Sequence, residues 1–137
     1  MSCVLRIDGE DLDADALVRV TSLSIYRVDR KGETGLLRSR GPHKRSAVHI
    51  DVSDAPFSDL SQQIADAVAF LDRNADAIAA AARFPGVQDA RLDFGVEAKD
   101  VAIDSNYLPP DLLRRAGELG VGIELSMYPP AGPDAPS

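Results

Sequence analysis

Seven of the fifteen basic residues crowd into the segment from Arg27 to Arg45, namely Arg27, Arg30, Lys31, Arg38, Arg40, Lys44 and Arg45, with His43 among them. Clustered guanidinium groups hold phosphate or carboxylate through forked, charge-assisted hydrogen bonds, so this segment is a candidate grip for an anion or an acidic partner. The competing explanation is a solvated loop that keeps an edge strand from pairing with other chains. Only Tyr26 interleaves aromatic character with the charge, which is too little for the stacking that single-stranded nucleic acid requires.

A second candidate follows directly. His49 and Asp51 are two residues apart in an alternating run, which on a strand places both side chains on one face at about 7 Å. Such a pair could serve as acid and base or as two metal ligands, although an exposed polar strand face accounts for both residues equally well. No His-Glu-x-x-His spacing appears, and His43 is the one other histidine. A third group, Asp8, Glu10, Asp11, Asp13 and Asp15, could offer oxygen ligands to a hard cation. Its glycine and glutamate do not fall where a calcium loop needs them, and capping explains Asp13 and Asp15. Gly117, Gly120 and Gly122 surround the end of a helix, where the partial charge is negative and repels phosphate. The residues therefore imply neither a metal nor a cofactor, and they assign no catalytic residue.

These residues need elements to position them. Leu60, Ile64, Ala67, Val68, Leu71, Ala75, Ile78 and Ala82 fall at three- and four-residue spacing and predict an amphipathic helix from Ser58 to Phe84. Unbroken, it would run roughly 40 Å, and Leu71-Asp72-Arg73-Asn74 offers a place to bend through a cap at Asp72 or Asn74. Phe84-Pro85-Gly86 ends it. Cys3 to Asp8 reads as a strand, with a helix capped by Asp13 after it and Leu12 stapled on Leu17. Leu23 to Val28 is rich in β-branched and aromatic residues and predicts a second strand.

From Asp29 to Arg45 no apolar period survives. Gly32, Gly35, Gly41 and Pro42 predict a long, mobile loop, with room for a short strand at Leu36 and Leu37. Ala47 to Val52 and Ala90 to Val96 alternate cleanly. Asp100 to Asp104 could add a short strand, Pro110 suits the first turn of a helix closed by Gly120, and Val121 to Met127 supplies the last strand. This order predicts an α+β fold, a twisted and mostly antiparallel sheet with helices on one face: a ferredoxin-like core with an appended helix and strand. The domain is expected to span 1–128, and Pro129 to Ser137 to be a disordered proline-rich tail.

The opening Leu5-Arg-Ile-Asp-Gly-Glu-Asp-Leu-Asp13, the turn Arg30-Lys31-Gly32-Glu33, and Leu108-Pro-Pro-Asp-Leu-Leu-Arg-Arg-Ala-Gly-Glu-Leu-Gly120 before a strand ending Met127-Tyr128 form a pattern. Together they resemble a family of small bacterial proteins described only as a domain of unknown function. The resemblance implies a compact α+β domain of bacterial origin and brings no catalytic residue.

Composition bounds the function. The chain has 137 residues, 45% of them hydrophobic, and a formal charge of -7. That size supports a core without staples, and the acidity argues against general affinity for nucleic acid or anionic membrane. Cys3 is the sole cysteine, which fits a reducing compartment. No apolar run approaches the roughly 20 residues needed to span a bilayer, and no leader precedes the first strand, so a cytoplasmic location is expected. With no nucleophile-base pair in sight, the leading expectation is a non-catalytic domain that recognises another protein by charge, in the manner of toxin-neutralising immunity proteins. The alternative is a small enzyme or binder of an anionic ligand that uses His49, Asp51 and the arginine-rich loop.

Overall fold

The computed structural model describes residues 1–35 and 38–130, Arg38 by its backbone alone. Five strands form one sheet: β1 (Cys3–Gly9), β2 (Ile25–Asp29), β3 (Ser46–Ser53), β4 (Asp89–Glu97) and β5 (Gly122–Tyr128), in the order β2-β3-β1-β4-β5. The first four pair antiparallel with one another, and β5 runs parallel to its partner β4. The core is thus the ferredoxin-like arrangement, two interlocked strand-helix-strand halves, extended by a helix and a strand. The order follows from the chain. β3 inserts between β2 and β1, β4 takes the other side of β1, and a crossover through the fourth helix brings β5 parallel beside β4.

Four helices cover one face: α1 (Ala14–Val20), α2 (Leu60–Arg73), α3 (Ala75–Ala82) and α4 (Pro110–Glu118). Asp13 caps α1 by accepting from the Ala16 N–H at 3.0 Å, and Asp59 caps α2 by accepting from the Gln62 N–H at 3.1 Å. The long apolar stripe is divided at Asn74. Asn74 does not cap α3 with its side chain; its amide instead donates back to the Phe70 carbonyl at 3.0 Å, closing α2. Ile64, Ala67, Leu71 and Ile78 from this pair meet Leu5, Ile7, Val48, Ile50, Leu92 and Phe94 from the sheet in one buried cluster. Gln63 lies in the same region fully buried, its amide donating to the Gly95 carbonyl at 2.8 Å and the Pro56 carbonyl at 3.3 Å. Two glycines let the first turn close against the turn after α3. A methyl on Gly9 would collide with the Gly86 carbonyl, and Gly86 itself has a φ of 88°.

Several sequence expectations are corrected. The second strand begins two residues later than Leu23 and runs to Asp29. Asp100 to Asp104 forms no strand, because both edges of β4 are already taken by β1 and β5. The segment after Asp29 is an arm with internal order at its base. The Gly32 N–H donates to the His43 carbonyl and the His43 N–H to the Glu33 carbonyl, each at 2.8 Å, Thr34 bridges Pro42, and Arg38–Arg40 makes a 3-10 turn. The strand considered at Leu36 and Leu37 lies outside the described residues, as does the proposed tail beyond Pro130. No helix among the described residues is long and apolar enough to cross a membrane.

Candidate functional site

Strand alternation gives the sheet a second, polar face. Arg6 and Asp8 on β1, His49 on β3 and Arg27 and Asp29 on β2 point away from the helices, since their neighbours Leu5, Ile7, Val48 and Ile50 fill the core. Antiparallel register does the rest. It sets Arg6 opposite His49 and His49 opposite Arg27, so residues distant in sequence meet side by side. The arm between β2 and β3 then folds over this end of the face and walls a recess of about 630 Å³, a size suited to a small ligand. Arg6, Arg27, Arg40, Lys44, Arg45, His43 and His49 line it, against the carboxylates of Asp8 and Asp29.

Asp29 is the hub of the recess. Its oxygens accept from the Arg27 guanidinium at 3.0 and 3.1 Å, lie 2.9 Å from His49 Nε2, and stand 3.6 Å from His43 Nε2. Partial burial pushes the Asp29 carboxyl up, but the bonds and charges of His49 and Arg27 outweigh it and leave its pKa below the usual carboxylate value. For His49 the balance falls the other way. Its ring is buried, and desolvation of the imidazolium exceeds the help given by Asp29, with Arg27 and Arg6 adding repulsion, so its pKa is lowered and the ring is neutral at pH 7. Asp8 forms the second anchor, accepting from Arg45 at 2.9 Å with Arg6 at 3.4 Å. Gly35 passes so close to the His43 ring that a Cβ there would stand 2.7 Å from its Cε1.

The structure gathers some of the expected residues and separates others. Arg27, Arg40, His43, Lys44, Arg45 and His49 share the recess. Arg30 does not line it; its guanidinium forms a forked pair with Asp15 at 2.8 and 3.0 Å. Lys31 also lies outside, its backbone N–H held by Ser46 Oγ at 2.9 Å. The side chain of Arg38 is outside the described residues. Asp51 is no partner of His49: it sits further along β3, where burial and the charge of Asp54 raise its pKa. Sequence reasoning missed Arg6 and Asp8 as lining groups and Asp29 as the partner of His49. The alternation that puts Arg27 and Asp29 on one face was the available signal, but it identifies His49 as their neighbour only once β2 is known to pair with β3.

Of the acidic group in the first turn, Asp8 and Asp15 are held by arginines and Asp13 caps α1. Among the described residues no group of three or more acidic, histidine or cysteine side chains could hold a metal ion. Cys3 is fully buried on the helix side, and burial raises its thiol pKa far above the usual value.

Comparison with protein families, curated proteins and solved structures returns no match to this chain.

Proposed function

We propose that this domain binds a small anionic ligand, carrying a carboxylate or phosphate group, in the recess between the sheet and the arm. The observation that carries the reading is the charge imbalance of the lining, five Lys and Arg side chains against two carboxylates. Arg27 and Arg45 are engaged by Asp29 and Asp8, whereas Arg40 and Lys44 form no ion pair among the described residues. Paired arginines shape the wall, and the two free cations supply unsatisfied charge that an incoming anion neutralises. Among the described residues the lining offers no hydroxyl or thiol as a nucleophile, and recognition is the reading its charges support. A concave site also suits a small molecule better than the broad surface a protein partner would cover.

Calorimetric titration of inorganic sulfate, inorganic phosphate and succinate at low ionic strength tests this. Binding of at least one, weakened tenfold or more by a combined Arg40→Ala and Lys44→Ala change that leaves the melting temperature in place, is the expected result. Preference for phosphate over succinate separates the two ligand chemistries. Absence of binding by all three, or binding that the double variant leaves unchanged, defeats the proposal.

A further inference from the structure

A five-stranded open sheet has two edges, and this one treats them differently. The β2 edge is broken by a bulge between Ile25 and Arg27 and carries Arg27 and Asp29, devices that discourage strand addition. The β5 edge has no bulge and no basic residue. Its seven residues Gly-Ile-Glu-Leu-Ser-Met-Tyr contain no proline, lysine or arginine, and they pair with β4 without a register shift. Its one charge, Glu124, is engaged by Arg91 on the open face.

The direction of its hydrogen bonds follows from the ladder. The Tyr128 carbonyl accepts from the Ala98 N–H, so Tyr128 faces β4, and with it Ser126, Glu124 and Gly122. Ile123, Leu125 and Met127 therefore present their N–H and C=O groups outward, and no described residue bonds to them there. We infer that this edge pairs with the β5 edge of a second copy of the chain, antiparallel about a two-fold axis at Leu125, to make one continuous sheet.

The strand's own sequence is what selects a second copy as the occupant. Pairing centred on Leu125 lets Leu125 exchange both bonds with its twin and Ile123 with the twin's Met127, so every outward group of the three residues is used. The same register sets apolar Ile123 against Met127, and Glu124 against Ser126 rather than against another carboxylate. Shifting the twin by two residues in one direction opposes Glu124 to Glu124; in the other it brings Pro129, which has no N–H, opposite Ile123. Met127 is 48% exposed in the single chain and becomes covered in the pair.

Light scattering on size-exclusion eluates, up to about 100 μM protein, tests the inference. The wild-type chain and Met127→Ala are expected to be dimers. Met127→Pro is expected to be a monomer with unchanged circular dichroism, because the lost N–H faces outward and an edge tolerates proline there. Leu125→Cys supplies an independent reading. Oxidation should link it to its twin, since paired strands bring these Cα atoms to about 5.5 Å, while Val20→Cys at a remote exposed site should stay unlinked. A wild-type monomer throughout the range, a Met127→Pro dimer, or failure of Leu125→Cys to cross-link faster than Val20→Cys overturns the inference.

Discussion

Lowering the pH should weaken this fold through His49 before it reaches Asp29. Above the ordinary imidazole pKa of about 6.5 the ring is neutral in both the folded and the unfolded chain, and it contributes no pH dependence. Its folded pKa is depressed by burial. As the pH falls past about 6.5 the unfolded chain takes up a proton that the folded ring refuses, so the unfolded state gains and stability declines. For one proton the decline is at most about 1.4 kcal/mol per pH unit, and it levels off once the pH is below the folded pKa. Asp29 acts later and with the same sign. Its folded pKa is also depressed, so its contribution is lost only as the pH falls below the normal carboxylate range. Denaturant unfolding of the wild type and of His49→Gln, measured at intervals from about pH 8 to 5, isolates the imidazole in the difference between the two curves. The wild type's advantage should be constant at the alkaline end and shrink on acidification. An advantage that grows as the pH falls would show that the 2.9 Å contact with Asp29 outweighs burial and that the folded state prefers the imidazolium.

Three further outcomes are expected. Phe94 is fully buried on β4, so Phe94→Ala should cost about 3 to 5 kcal/mol and lower the melting temperature by about 10 to 17 °C; a loss under about 1 kcal/mol would mean that the core closes over the gap. Arg45→Ala removes the closer of two cations beside Asp8, whose side chain is 10% exposed, and should destabilise the fold by about 1 kcal/mol, whereas Arg40→Ala should leave unfolding unchanged within about 0.5 kcal/mol. Equal effects in the same denaturation assay would remove the distinction between structural and free arginines. Gly35→Ala should displace the His43 ring from Asp29, seen as a shift of the His43 imidazole resonances with those of His49 retained; unmoved His43 resonances would count against the contact.

Much of the framework is local and periodic, and that part was legible in the chain. Period-two alternation in Ala47 to Val52 and Ala90 to Val96 assigns β3 and β4 and their buried faces, because a strand side chain has only two directions available. Three-and-four spacing assigns the helical stripe, but it leaves a bend at Asp72 or Asn74 open; the Asn74 amide closing α2 on the Phe70 carbonyl decides it. The element order points to the split strand-helix-strand plan, and the strand order β2-β3-β1-β4-β5 agrees with it. Period says nothing about partners. Gln63 is buried because the Gly95 carbonyl, 32 residues away, happens to lie within 2.8 Å, and no helical pattern encodes that acceptor.

The candidate site divides along the same line. Residue types announced a basic segment beside two histidines, because composition shows charge wherever it clusters. Tertiary pairing decides which charges are engaged: Arg30 is held by Asp15 and Arg45 by Asp8, while Arg40 and Lys44 form no ion pair among the described residues. His49 was read with Asp51 because they share a strand face, yet its partner is Asp29 of the neighbouring strand. Side chains on adjacent strands lie closer than those two apart on one strand, so the identity of a partner waits on which strands become neighbours, and that is decided by burial of the whole sheet.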